Sequence, residues 1–243
     1  MNVRIILRRE LASYFVTPIA YVVLVVFLFF MNLLGFWLGG LYEREQADLQ
    51  PYFSFFPWLY CFLIPALSMR LWAEERRSGS IELLLTQPVT LWQAVLGKFL
   101  AAWLVVGIAL LLTFPVWLTI NFLGSPDNGT IFAAYVGSFV MAAGFLGIGS
   151  FTSSVTSNQL IAFLGSAVIC FLLVVVGFPG TTDWFRDHLP QWFADGVSSL
   201  SFYTHYMSIT KGVLDLRDML YFALITTFFL LASTVVLDSR KSK

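Results

Sequence analysis

Between Asn128 and Thr182 the chain runs for 55 residues without a single Asp, Glu, Lys or Arg. As one helix that stretch would extend about 80 Å, against a hydrocarbon core about 30 Å thick. It must therefore fold back on itself. The polar cluster Thr152, Ser153, Ser154, Thr156, Ser157, Asn158 and Gln159 marks where it turns. A second uncharged run, Leu11 to Tyr42, also exceeds the roughly 20 residues that a membrane span needs. Only 12% of the 243 residues are charged, about half the fraction usual in a soluble domain, and the mean hydropathy is +0.81. The chain reads as an all-α membrane protein with six spans, at approximately 18–40, 54–71, 99–122, 131–152, 159–178 and 219–237.

The basic residues orient it. With both termini on one side, that side holds Arg4, Arg8, Arg9, Arg70, Arg76, Arg77, Lys98, Arg240, Lys241 and Lys243. The other side holds Arg44, Arg186, Lys211 and Arg217. Ten against four predicts cytoplasmic termini by the positive-inside bias. Met1 to Glu10 is basic, but a full-length, aromatic-rich apolar stretch follows it rather than a short core with a cleavage site. The first span is accordingly expected to be retained. Within the first 16 residues Val3, Ile6, Leu7, Leu11 and Tyr14 recur at helical spacing, with the arginines largely opposite. This predicts a short amphipathic helix along the cytoplasmic membrane surface. Residues 239–243 form a cytoplasmic tail. Zero net charge gives no bulk field toward nucleic acid. Cys61 and Cys170 sit in apolar stretches, where they behave as small buried hydrophobes.

Two long loops remain, about 70–98 on the cytoplasmic side and about 180–218 outside. The first opens with Glu74, Glu75, Arg76 and Arg77, a charged continuation of the second span. Ser78-Gly79-Ser80 breaks it, since glycine permits a sharp turn. Ser80 can cap a new helix and Glu82 complements its dipole. Ile81, Leu84 and Leu85 give that helix an apolar face, and Pro88 ends it. A capped, apolar-faced helix beneath the bilayer is suited to docking a cytoplasmic partner, or to resting on the membrane surface.

At this point the residues resemble a known family. Glu75-x-x-x-Gly79-Ser80-Ile81-Glu82-x-Leu84-Leu85-x-x-Pro88 is similar to the coupling-helix signature of ABC-2 type permeases. The hairpin around Ser154, Thr156, Asn158 and Gln159 resembles theirs between the fourth and fifth spans. Gly212, Asp215, Arg217 and Asp218, leading into the last span, look like the gliding-motility-associated subfamily, as does the opening from Arg9-Glu10-Leu11 to Thr17-Pro18. The likeness runs from Arg9 to Phe222.

The resemblance implies an N-terminal connecting helix over 1–16 and a six-span domain over 17–238. It places a coupling helix at about 74–88 and an outer re-entrant hairpin at about 180–218, with Trp184, Phe185, Trp192 and Phe193 as a membrane-dipping face. It implies a bacterial inner-membrane exporter subunit that carries no cofactor itself. ATP and magnesium would be held by a separate ABC ATPase, and a second permease chain, identical or not, would complete the membrane domain. An outer-side accessory protein also fits the subfamily.

The chain has no G-x-x-x-x-G-K-[ST] phosphate loop, because Gly97-Lys98 is followed by Phe99 and lacks the upstream glycine. An enzyme reading finds no support. No ionisable group is expected well inside a span, and His188 and His205 share no metal-site spacing with Asp183, Asp187 or Asp195. A secondary transporter would usually show internal repeats, and none is visible. A non-transporting anchor that passes ATPase-driven motion to outer proteins stays open. Ala143, Gly147, Ser150 and Ser154, joined by Gly144 and Gly149, form a small-residue stripe that serves close packing either within the chain or outside it.

The topology is directly testable. In a cysteine-free background, single cysteines at Asp127 and Asp195 are expected to react with an impermeant thiol reagent outside intact cells. Those at Gln87 and Ser242 are expected to stay unlabelled; outside labelling at Gln87 would invert the orientation.

Overall fold

In a computed structural model, the structure describes residues 3–40, 47–79, 90–188 and 190–239, and every element among them is helical. Helix α1 spans Val3–Val16 and α2 spans Pro18–Leu33, running on through a π-helical turn at Leu34–Leu38. Helices α3 (Gln50–Phe53), α4 (Phe56–Ser68) and α5 (Arg70–Ser78) make a second rod, and α6 (Leu91–Leu112) with α7 (Phe114–Leu123) a third. Helix α8 spans Asn128–Val155, α9 spans Gln159–Val175, and α10 (Pro179–His188), α11 (Gln191–Ser198) and α12 (Phe202–Ile209) lead to α13, Leu216–Ser239.

Five segments are long and apolar enough to cross a membrane: 20–38, 50–78, 91–123, 128–155 and 216–239. The uncharged 55-residue run divides where its polar cluster predicts, between Val155 and Gln159. Its second half differs from a plain span. Helix α9 has 17 residues, about 26 Å of rise, and after a short break α10 leaves at 69° to it. Among the described residues the count is thus five, or six if this bent pair is one span.

Helix α8 is the axis of the bundle, packing against α4, α5, α6, α9, α12 and α13. Its small residues set those distances. Gly147 faces the Cα of Thr226 on α13, and Gly137 faces Ile209 on α12. Gly149 approaches Ser68 so closely that an added Cβ would stand 2.6 Å from the Ser68 Cβ. Ala143, Ser150 and Ser154 are buried too, so the stripe is consumed by packing within one chain. Where no hydrophobic effect separates helix from lipid, such close backbone approach supplies the attraction. Aromatic side chains fill the wider gaps, with edge-on contacts running from Phe27 through Phe56 and Tyr60 to Phe145 and Phe202. Cys61 and Cys170 are buried free thiols.

The apolar stripe of α1 is occupied by protein. Ile6 is 1% exposed and fits where Gly97 of α6 has no side chain; a Cβ there would lie 2.7 Å from its Cγ2. That contact fixes the roll of α1 and directs Arg4 and Arg8 outward.

Overpacking the α4–α8 crossing gives a clear prediction. Gly149→Ala is expected to cost about 1–3 kcal/mol, seen as a lowered melting temperature in detergent. Adding Ser68→Gly is expected to recover part of the loss, because it removes the atoms that the new methyl meets.

Candidate functional site

Lys98 lies on α6 among Ala94, Val95, Phe99, Ala101 and Ala102, all buried, and its own side chain is only 4% exposed. A cation so placed must be paired, since an isolated buried charge is very costly. Its Nζ lies 2.8 Å from Glu75 Oε1 on α5 and 3.2 Å from Glu10 Oε2 on α1. It also sits 5.3 Å from the centre of the Trp72 ring, within cation–π range. Arg9 donates to Glu10 at 2.8 Å, so charges alternate from Arg9 through Glu10 and Lys98 to Glu75. Burial pushes the Glu10 carboxyl up, but the Lys98 ammonium and Arg9 outweigh it and hold the group below the usual carboxylate range.

A second set of contacts fastens α5 to α8. The helical rod breaks at Met69, between α4 and α5, and a new first turn leaves backbone N–H groups without helical partners. Ser153 of α8 meets that need from across the bundle. Its hydroxyl accepts from the N–H of Trp72 at 3.0 Å and of Ala73 at 3.1 Å, and donates to the Met69 carbonyl at 2.9 Å. This is a helix cap supplied by another helix. Trp72 Nε1 donates to Ser150 at 3.2 Å, and Ser233 of α13 reaches the same hydroxyl at 3.5 Å. Arg76 donates to the Ser154 carbonyl at 2.6 Å, placing a cation at the C-terminus of α8, where the dipole favours it. Helices α1, α5, α6, α8 and α13 thus meet in one buried polar junction.

The motif residues divide between two ends of the bundle. Glu75 is in the junction, and Gly79, with φ +72°, ends α5. Ser80, Ile81, Glu82, Leu84, Leu85 and Pro88 lie outside the described residues. Ser154 joins through its carbonyl. Thr156 accepts from the Asn158 N–H at 3.1 Å, and Asn158 caps α9 by accepting from the Leu160 N–H at 2.9 Å, with Gln159 as the first residue of that helix. The lead-in to α13 is at the far end, because Gly212 (φ +88°) abuts Thr130 near the start of α8. Some 24 residues of helix, about 36 Å, separate Thr130 from Ser154. There Asp215 accepts from the Arg217 N–H at 3.0 Å and Asp218 pairs with His205. His188 keeps to its own helix, its Nδ1 2.9 Å from the Trp184 carbonyl. Among the described residues no group of three or more His, Cys, Asp or Glu is placed to hold a metal.

Sequence reasoning assigned Lys98 only a side of the membrane, beginning the third span at 99. The structure extends that helix back to Leu91 and makes Lys98 a buried centre. The available signal was a lone lysine in Leu91–Trp103 with no acid on its own helix, which demands partners elsewhere. Trp72, Ser150 and Ser153 carried no local signal, since their pairing spans 78 to 81 positions.

Removing the cation tests the junction. Lys98→Met leaves two carboxylates facing each other in a half-closed site, at an expected cost of about 3–5 kcal/mol in unfolding experiments. The triple change Glu10→Gln, Lys98→Met, Glu75→Gln is expected to recover most of it. Because the folded Glu10 carboxyl is depressed, its stabilisation is present above the unfolded carboxylate pKa and lost as pH falls through the folded value. Wild type is expected to lose stability there, and the triple variant to lose less.

Known proteins resemble the chain as a whole. The family model for ABC-2 family transporter proteins matches residues 30–239. The chain is also similar to the probable multidrug ABC transporter permease YbhR of Escherichia coli K12, at 26% identity over 143 residues. The same protein in E. coli O157:H7 matches equally. Those 143 residues are 58% of this chain and 37% of the relative, so the likeness spans little more than a third of the relative's length.

Proposed function

The chain belongs to the ABC-2 family of transporter proteins, and from that premise we propose that it is the membrane-spanning permease subunit of an ATP-driven exporter, worked by an ABC ATPase docked at the end that carries the ion junction. The observation that carries this reading is the fastening of α5. The segment 80–88, which has the composition of a capped docking helix, continues directly from Gly79. A push on it reaches α5, which Ser153, Ser150, Ser154 and Lys98 tie to α8, α6 and, through Glu10, to α1. Displacement there is delivered to several membrane helices rather than absorbed by a loop.

The excess of basic residues at this end supports a cytoplasmic placement, where ATP is available, and an inner-membrane location. Two permease chains, most simply two copies, would present two docking segments to an ATPase pair that closes on nucleotide between its subunits. The outer hairpin α10–α11 would then lie at the exit. An apolar or amphipathic cargo suits the largely apolar, aromatic bundle, and the YbhR relative carries "multidrug" in its name.

The experiment is reconstitution with the ABC ATPase that copurifies with the chain. Glu82→Lys is expected to abolish permease-stimulated ATP hydrolysis with membrane insertion intact. Ser153→Ala is expected to keep the ATPase bound in pull-down while lowering stimulation severalfold, because the force path is loosened beyond the docking surface. Full stimulation by both variants would overturn the coupling assignment.

A further inference from the structure

At the end opposite the ion junction, residues 199–201 connect α11 to α12 and are gripped by two side chains. His205 Nε2 lies 2.9 Å from the Ser199 carbonyl oxygen, and its Nδ1 lies 2.6 Å from Asp218 Oδ1 on α13. Tyr221, one turn further along α13, stacks on the imidazole at 3.9 Å and 22°, and its hydroxyl donates to the Leu200 carbonyl. The Ser201 hydroxyl caps α12, accepting from the Tyr203 N–H at 3.1 Å. Gly177, just past the end of α9, leaves no room for a Cβ against Ser201.

We propose that His205 is a positioning residue that holds the outer hairpin on the last membrane helix while its ring is doubly protonated, and releases it when a proton is lost. A carbonyl oxygen only accepts, so Nε2 must carry a hydrogen. With Asp218 as the carboxylate its oxygen also only accepts, so Nδ1 carries the second hydrogen. The ring therefore holds two protons while the clasp is closed. Loss of one leaves a nitrogen lone pair facing an oxygen at 2.6 or 2.9 Å, which is repulsive. The side chains of His205 and Asp218 are 11% and 9% exposed, whereas the Ser199 carbonyl is open to solvent, so water takes the place of the lost bond on that side and the clasp opens.

Among the described residues no other charge at the site offsets the loss. From α13 the ring meets Asp218, Tyr221 and the edge of Phe222. Helix α8 has no charged residue, and its Tyr135 is engaged with Thr113. Helix α9 offers only Cys170, buried against Ser166. On α12 itself Tyr206 is bonded to Ser138 and Tyr203 has no contact with the ring. Asp195, Lys211, Asp215 and Arg217 form no ion pair with either partner among the described residues. Loss of a ring proton opens the clasp.

Beyond the Tyr221 bond to Leu200 and the Gly177–Ser201 approach, the hairpin leans on this clasp. Helices α10 and α11 pack on each other; α10 has no buried residue and α11 only Ala194. The inference needs the fold alone, so it stands or falls separately from the transport reading.

Hydrogen–deuterium exchange of the full chain in lipid nanodiscs, from about pH 5.5 to about pH 8.5 around histidine's titration range, tests it, with exchange times scaled to each pH. Peptides covering 195–204 are expected to exchange about tenfold faster above the transition, as expected for a lost charged hydrogen bond, while α8 stays unchanged. His205→Gln is expected to be flat across the range. Should that variant not fold, ring nitrogen NMR of the wild type, with His188→Gln for assignment, is expected to show both His205 nitrogens protonated below the transition and one above it. Scaled exchange that is constant in wild type, a pH profile retained in His205→Gln, or a His205 ring singly protonated throughout would each overturn the proposal.

Discussion

A lysine that cannot reach water organises the basic end of this molecule. Lys98 is tolerable inside α6 only because Glu10 and Glu75 come to it, and each arrives on a different helix. The pairing sets constraints that helical propensity alone would not. It holds α1 across the start of α6, where Ile6 finds the space left by Gly97, and it keeps α5 attached beyond the last turn of α4. Buried ion pairs seldom add net stability over apolar packing, but breaking one is expensive. Their value here is registration: the three helices fit together in one arrangement.

The long uncharged helix α8 does the complementary work. Its small residues admit α4, α12 and α13 to close range, and its last turn supplies the serine hydroxyls that complete α5. Packing and polar satisfaction are thus joined on one element. Ser150 and Ser153 sit three residues apart, beside Gly149, whose missing side chain lets Ser68 of α4 approach.

Much of this was legible in the sequence, and the boundary has physical causes. Helical content, the reversal at Thr156 to Asn158, the left-handed break at Gly79 and the family itself follow from charge-free runs, turn chemistry and short strings, all local properties. The fifth span was half legible. Apolar composition over 159–178 marked a helix, but the 69° departure at Pro179 depends on how the chain packs beyond it. The junction was least legible, because Lys98, Glu10, Glu75 and Ser153 come together through tertiary contact across sequence separations of 23 to 88 positions. Sequence proximity offers His205 the carboxylates of Asp183, Asp187 and Asp195, whereas the fold gives it Asp218, from the string at the start of the last helix.

The shortness of α9 has a consequence for the lipid around it. At about 26 Å it falls some 4 Å below an average hydrocarbon thickness of about 30 Å, and the chain then turns aside instead of continuing. Leu160, Ile161, Leu164, Val168 and Leu172 face outward along it, so the acyl chains beside this helix are wetted by a surface too short for them. A bilayer meets such a shortfall by thinning locally, at a fraction of a kcal/mol per Å. Where α9 crosses alone, that thinning would fall on this one flank of the bundle.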